Sequence, residues 1–144
     1  MQLSYKLSLS QSTIKQKRIK AMTNSFNVLN NDVSEISSAD KNLDLKNQIE
    51  HLINSSHIVL FMKGNAEMPM CGFSANSVSI LKNLGVSFKT FNILNDPDIR
   101  QGLKEFSNWP TYPQLYIKGQ LIGGNDIITE MYKSGELQEF IKNN

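Results

Sequence analysis

The stretch IVLFMKGNAEMPMCGFSANSVSILKNLG, residues 58–85, decides the fold of this chain. Its apolar run Ile58–Met62 predicts a buried strand, and a loop containing Gly and Pro occupies 63–70. Residues 75–85 predict a helix, because their apolar side chains share one stripe and Gly85 ends it. A strand, a loop and a helix in this order are typical of an α/β protein.

The only cysteine of the chain, Cys71, lies where this loop meets the helix. Free N–H groups and the helix dipole stabilise a thiolate there, and such sites lower a cysteine pKa from about 8.5 to roughly 3.5–7.5. A buried, inert cysteine is the alternative interpretation. Ser74 stands where a C-x-x-C motif has its second cysteine, so any exchange at Cys71 needs a thiol from another molecule.

The composition is that of one globular domain. A length of 144 residues is enough for one domain with a real core. A single cysteine excludes an internal disulfide and favours a reducing compartment. No apolar run approaches the roughly 18 residues that cross a bilayer. We therefore expect no membrane partner.

The first 40 residues predict a disordered extension, because they are rich in Ser, Asn, Gln and Lys. Residues 1–31 contain five basic and no acidic side chains, so the basic charge belongs to this tail and no nucleic-acid partner is expected. Such a tail resembles an organelle transit peptide. We expect import into the mitochondrial matrix, with the cytoplasm or a plastid as alternatives, and a plain disordered extension is the other interpretation. The domain is placed at 41–144.

Two further helices and a second strand are predicted around this stretch. An amphipathic helix with Asp44 as its cap precedes the first strand. Ser87–Ile93 is rich in β-forming residues, and Asp96 with Pro97 opens the next helix. The β-α-β order predicts a parallel pair of strands. The expected inward residues of the two helices are Leu45, Ile49, Leu52, Ile53, Ile99, Leu103 and Phe106.

The C-terminal third predicts a turn, a hairpin and two short helices. Two prolines prevent Trp109–Pro113 from continuing a helix. Leu115–Ile117 and Leu121–Gly123 flank the linker 118–120 and predict the hairpin, and Gly135 separates the two helices. The sum is an α/β fold with a four-stranded mixed β-sheet and helices on both faces.

Four motifs together resemble the monothiol, CGFS-type glutaredoxins. They are Lys63-Gly64, Met70-Cys71-Gly72-Phe73-Ser74, the segment Ser107–Gln114, and Gly123-Gly124-x-Asp126. The resemblance covers roughly residues 45–142 and favours the mitochondrial single-domain class. It implies a thioredoxin-like fold, a glutathione site beside the cysteine, and a bridging [2Fe–2S] cluster as cargo.

The resemblance also implies the residues of the glutathione site. Arg100 would bind the glycine carboxylate through its planar guanidinium, and Asn125 with Asp126 would hold the γ-glutamyl end. Pro113 would be cis, which exposes the backbone of Tyr112 to an extended ligand. The full set of implied contacts is Lys63, Gly72, Phe73, Arg100, Thr111, Tyr112, Pro113, Gly124, Asn125 and Asp126.

Plainer roles are open for several of these residues. Lys63 is either a partner of the thiolate or an ordinary solvated lysine. Asp126 is either a ligand contact or only the cap of the following helix. The Trp109–Pro113 segment is either part of the site or a rigid turn, and we assign Trp109 itself to packing.

Two functions follow from the resemblance. In the first, the Cys71 thiolates of two protomers and two glutathione thiols supply the four ligands of the cluster, so that a homodimer carries it. Apo iron–sulfur proteins and a BolA-like protein would be partners. In the second, the chain is a glutathione-dependent thiol–disulfide oxidoreductase that deglutathionylates proteins, with weak activity at most. Many CGFS proteins have a second cysteine where Asn125 stands, so glutathione is the expected resolving thiol.

Overall fold

The computed structural model describes residues 33–144, with side chains from residue 38 onward. Residues Asn42–Asn144 form one compact unit, and residues up to Lys41 group separately. The elements in chain order are α1 (Val33–Ile53), β1 (Ile58–Met62), α2 (Gly72–Asn83), β2 (Lys89–Asn92), α3 (Pro97–Ser107), β3 (Gln114–Ile117), β4 (Gln120–Gly123), α4 (Asn125–Ser134) and α5 (Glu136–Asn143). No helix in this part of the chain is long and apolar enough to cross a membrane.

The four strands form one mixed sheet in the order β2-β1-β3-β4. Strand β1 pairs parallel with β2, as the β-α-β order predicts. It pairs antiparallel with β3. Strands β3 and β4 form the predicted hairpin through Lys118 and Gly119, whose φ angles are 49° and 76°. Glycine suits such a turn because it has no Cβ to clash at positive φ. The link is one residue shorter than predicted, since Gln120 already belongs to β4.

Helices cover both faces of the sheet, as predicted. Helices α2, α4 and α5 pack on one face and form a core of Ile58, Leu60, Met62, Val78, Ile80, Leu81, Leu115, Ile117, Ile128 and Leu137. Helices α1 and α3 pack on the other face, where the core consists of Ile49, Ile53, Val59, Phe61, Ile93, Ile99, Leu103, Tyr112 and Tyr116. Side chains of β1 alternate between the two cores, so all five of its residues are buried.

Helix α1 begins earlier than predicted. It starts at Val33, so Asp44 is not its cap, and the Asp44 carboxylate accepts a hydrogen bond from Gln48 at 2.8 Å within the helix. No Gly or Pro interrupts 33–43, and the helix continues through polar residues that carry no apolar period. Residues 33–40 are therefore helical where disorder was expected. The rest of the predicted extension, 1–32, lies outside the described residues.

Helix α3 begins as predicted but buries fewer residues. Asp96 is its N-cap and accepts a hydrogen bond from the N–H of Ile99 at 2.9 Å, with Pro97 as the first helical residue. Ile99 and Leu103 are buried, whereas Phe106 is 41% exposed, so its predicted inward position is wrong. Phe106 lies in the last turn of the helix, beyond the two buried residues. Strand β2 is also shorter than its predicted span, 87–93.

Candidate functional site

Cys71 is the N-cap of helix α2, with extended backbone angles of φ −155° and ψ 139°. Its thiol is partly exposed. The N–H groups of Ser74 and Phe73 lower the pKa of this thiol, partial burial opposes them, and the charge of Lys63 and the Ser74 hydroxyl lower it further. Cys71 therefore lies at a helix N-terminus, as the sequence predicts, and its lowered pKa favours the thiolate form.

Ser74 has a role that the sequence analysis missed. Its side chain is fully buried, and its hydroxyl oxygen accepts a hydrogen bond from the Lys63 N–H at 3.2 Å. The hydroxyl hydrogen remains available to the thiolate, since a hydroxyl both accepts and donates. One signal for this role is present in the sequence. Ser74 and Ser77 share the buried stripe of the helix with Val78 and Leu81, and a buried serine requires a hydrogen-bond partner.

The loop before Cys71 is held by its own hydrogen bonds. The Met70 N–H donates to the Lys63 carbonyl at 2.9 Å, and the Asn65 side chain accepts from the N–H groups of Glu67 and Met68. Gly64 has a φ of 88°, and a Cβ at this position would overlap the backbone oxygen of Met68. The loop is therefore a tight turn that returns the chain to the end of β1, directly before the thiol.

A groove of about 490 Å³ opens beside the thiol. Its lining residues are Lys63, Cys71, Phe73, Arg100, Lys104, Trp109, Pro110, Thr111, Tyr112, Gly124, Asn125, Asp126 and Ile127. Nine of the predicted site residues are among them, whereas Gly72 and Pro113 do not line it. Gly72 is exposed as the first residue of α2, and Pro113 is buried behind Gly124. The structure thus brings together residues that span more than 60 positions of the chain.

The charges of this groove are unequal. Lys63, Arg100 and Lys104 supply three cations, and Asp126 is the one acidic residue among the described residues that line it. Clefts with walls of one charge sign attract ligands of the opposite sign. The groove is therefore suited to a ligand with more than one anionic group, and with a cationic group where Asp126 lies.

The wall formed by residues 109–113 is fixed from behind. The Tyr112–Pro113 bond is cis, as the resemblance implies. The fully buried Gln114 donates to the carbonyls of Trp109 and Thr111 at 3.1 and 3.3 Å, and accepts from the Tyr116 hydroxyl at 2.9 Å. These bonds hold the segment in one shape, so that Thr111 and Tyr112 face the groove.

A second anchor joins this segment to helix α3. The Tyr112 hydroxyl donates to the Arg100 carbonyl at 2.6 Å. Burial raises the pKa of Tyr112 well above its ordinary value, so this donor keeps its proton throughout the physiological range. The helix that carries Arg100 is thereby tied to the wall formed by residues 109–113.

The far end of the groove is the N-terminus of helix α4. Its N-cap is Gly124, without a side-chain cap, and the exposed Asp126 lies in the first turn. The prediction of Asp126 as the cap is wrong, because the helix begins at Asn125. Gly124 packs against the Trp109 ring, since a Cβ there would lie 3.2 Å from Nε1. Trp109 therefore lines the groove and also packs against α4.

Comparison with known proteins identifies the class. Residues 58–122 match the glutaredoxin family. The chain is 58% identical over 98 residues to the chloroplastic monothiol glutaredoxin-S14 of Arabidopsis thaliana, which is 68% of this chain and 57% of that protein. It is 50% identical over 101 residues to a monothiol glutaredoxin of Synechocystis sp., which is 70% of this chain and 94% of that protein.

A solved structure is also similar. The solution structure of reduced poplar apo GrxS14 is 52% identical and has a TM-score of 0.62, over 69% of this chain and 91% of that one. The fold is thioredoxin-like, as the resemblance implies. The chain belongs to the monothiol glutaredoxins. It spans 57% of the Arabidopsis protein, but almost the whole of the cyanobacterial one.

Proposed function

We propose that this chain binds glutathione in the groove, holds a [2Fe–2S] cluster between two protomers and transfers it to apoproteins. The observation that carries this proposal is a single, partly exposed thiol of lowered pKa beside a cationic groove. Membership of a glutathione-linked family suggests glutathione as the ligand, and the charges and hydrogen-bonding groups of the groove suit that ligand.

Glutathione matches the groove in shape and charge. It is an extended tripeptide with two carboxylates and one ammonium group. Arg100 and Lys104 suit its glycine carboxylate, and Asp126 suits the ammonium of its γ-glutamyl end. The first turn of α4 presents backbone N–H groups to the second carboxylate. Its thiol would then lie beside Cys71.

The proposed cluster requires two chains. A [2Fe–2S] cluster takes four sulfur ligands, and each chain has one cysteine. The described residues contain no group of three or more His, Cys, Asp or Glu that could hold a metal. Two Cys71 thiolates and two glutathione thiols complete the set, and ligands that are not covalently attached favour release to an apoprotein. A BolA-like protein in place of one protomer is a further proposed partner.

A second candidate function is deglutathionylation, which the lowered thiol pKa favours. The Cys71 thiolate would attack the glutathione sulfur of a protein mixed disulfide and release the protein thiolate. A second glutathione thiolate would then attack the Cys71–glutathione disulfide, which restores Cys71 and forms oxidised glutathione. Asn125 supplies no second thiol, so this monothiol route is the one open to the chain.

The proposed location is the mitochondrial matrix, on the basis of the basic, acid-free tail over 1–31. The plastid and the cytoplasm are the alternatives. The relatives compared above are a chloroplastic and a cyanobacterial protein, which is consistent with the plastid. Import of a fluorescent fusion of residues 1–40 into isolated organelles of both kinds would decide between them.

The deciding experiment is anaerobic reconstitution with iron, sulfide and glutathione. We expect a visible [2Fe–2S] spectrum at about one cluster per two chains, dependent on glutathione and absent in Cys71→Ser. Ser79→Ala, an exposed position of the same helix, is the matched control. Protein that stays colourless but reduces glutathionylated substrates would contradict the carrier function and favour the second candidate.

A further inference from the structure

Three hydrogen bonds join helix α2 to the start of helix α4, and a fourth lies within α4. The Asn76 amide nitrogen donates to Asn125 Oδ1 at 2.8 Å and to Thr129 Oγ1 at 2.9 Å. The buried Ser77 hydroxyl donates to the same Asn125 Oδ1 at 3.2 Å. Thr129 Oγ1 donates to the Asn125 backbone carbonyl at 2.8 Å. We call these four residues the α2–α4 network.

The Thr129 hydroxyl determines which groups donate and which accept hydrogen bonds in this network. Its one hydrogen goes to the Asn125 carbonyl, so its oxygen can only accept from Asn76. Asn76 must therefore turn its NH₂ group toward Thr129, and the second hydrogen of that group reaches Asn125. Asn125 must then present its side-chain oxygen to helix α2.

The opposite end of the Asn125 amide is left for a ligand. Its NH₂ group donates to no other residue in the described part of the chain, and Asn125 lines the groove. We propose that Asn76 and Thr129 are positioning residues, which orient the Asn125 side chain so that its NH₂ group donates to a carboxylate of bound glutathione. This inference rests on the proposed glutathione site. A reversed amide would present an oxygen to the carboxylate, and two acceptors repel one another.

Thr129 offers a matched pair of variants. Thr129→Ser keeps the hydroxyl, whereas Thr129→Val removes it with little change in volume. We expect Thr129→Val and Asn76→Ala to raise the glutathione dissociation constant by about three- to tenfold, as for the loss of one oriented hydrogen bond. Thr129→Ser should stay within about twofold of the wild type. Isothermal titration calorimetry on the full chain measures these constants.

Two readouts separate positioning from a merely structural role. The pKa of the Cys71 thiol should not change in either variant, because the Ser74 and Phe73 N–H groups that lower it lie outside the α2–α4 network. The side-chain ¹⁵N–¹H resonances of Asn125 should shift when glutathione is added to the wild type. They should shift less in Asn76→Ala, where the Ser77 hydroxyl alone still holds the Asn125 side chain.

Each outcome has a distinct meaning. Wild-type affinity in both Asn76→Ala and Thr129→Val overturns the inference, and so does a Thr129→Ser variant as weak as Thr129→Val. A changed thiol pKa assigns the effect to general distortion and also overturns it. A wild type that binds no glutathione contradicts the proposed function instead. If Thr129→Val fails to fold, Asn76→Ala, at an exposed position, decides alone.

Discussion

The backbone N–H of Lys63 donates to the hydroxyl oxygen of Ser74 across 3.2 Å. This bond ties the end of strand β1 to the first turn of helix α2, and Cys71 lies at the start of that turn. The serine of the motif is therefore a connection between the strand and the helix that together present the thiol. A cysteine at this position would replace a strong hydrogen-bonding group by a weak one.

The substitution Ser74→Ala should raise the pKa of the Cys71 thiol modestly. It removes the hydroxyl but keeps the N–H groups of Ser74 and Phe73, of which the Ser74 N–H is the largest cause of the low pKa. The rate of iodoacetamide alkylation as a function of pH measures this change. Ser79→Ala is the control, and an equal shift in both variants would contradict the role of the Ser74 hydroxyl.

The same thiol makes stability depend on pH. Its pKa is lower in the folded chain than in the unfolded chain, so the folded state binds fewer protons between these two pKa values. The thiol therefore adds stability that is present above its unfolded pKa and is lost as pH falls through the folded pKa. We expect Cys71→Ser to remove this part of the dependence in urea unfolding between about pH 6 and 9.

Gly64→Ala should destabilise the fold far more than Gly85→Ala. Both residues have a positive φ, 88° and 68°, so both substitutions carry a backbone cost of about 1 kcal/mol. A Cβ at Gly64 would also overlap backbone atoms of Met68 and Met70, whereas nothing lies within 4 Å at Gly85. We expect an extra cost of about 2–4 kcal/mol at Gly64, measured by urea unfolding. Equal losses would refute the steric explanation.

Tyr116→Phe should flatten the loss of stability at alkaline pH. Burial raises the pKa of Tyr116 to about 12, so the neutral phenol stabilises the fold fully below the unfolded pKa of 10.0, and this contribution is lost as pH rises toward 12. The variant should also lose about 1–3 kcal/mol at neutral pH, because Gln114 loses its donor. Unfolding at about pH 8 and pH 11 tests both effects. Tyr132→Phe, at a more exposed site, is the control.

Arg100→Gln should weaken glutathione binding by about tenfold, since a charge-assisted contact to a carboxylate is replaced by a neutral one. The loss should shrink at high salt, which screens exposed charges. Lys118→Gln removes a cation on the β3–β4 turn, outside the groove, and should leave the affinity unchanged. Equal effects of the two substitutions would mean that net charge, rather than the position of Arg100, governs binding.

Local patterns predicted most of the fold. The apolar run of β1, the stripe of α2 and the Asp96-Pro97 start of α3 are each encoded by neighbouring residues, and each is confirmed. The start of α1 was wrong because residues 33–42 carry no apolar period that would predict a helix. Of the two roles left open for Asp126, the cap is wrong, because the helix begins at Asn125 and its N-cap is Gly124.

The residues of the site could be predicted only where they belong to a recognisable sequence motif. Cys71 and eight of the ten implied residues come together as expected. Ser74, Lys104 and the α2–α4 network were missed or undervalued, because their roles depend on partners far along the chain. Asn76 and Thr129, for example, are 53 positions apart. Nothing in a local pattern indicates that two exposed-looking polar residues of different helices share a hydrogen bond.

The two walls of the groove should differ in hydrogen–deuterium exchange. One wall carries Cys71 and follows β1, an interior strand with five buried residues. The other wall is the start of helix α4, which follows β4 at the edge of the sheet. Amides of interior strands exchange only through openings that cost most of the free energy of unfolding, whereas amides near a sheet edge exchange through less costly openings. Amides of Val59–Phe61 should therefore exchange last, and the amide of Ile128, which makes the first backbone hydrogen bond of α4, much earlier. A tripeptide would then enter by fluctuations of helix α4, while the nucleophile keeps its orientation throughout.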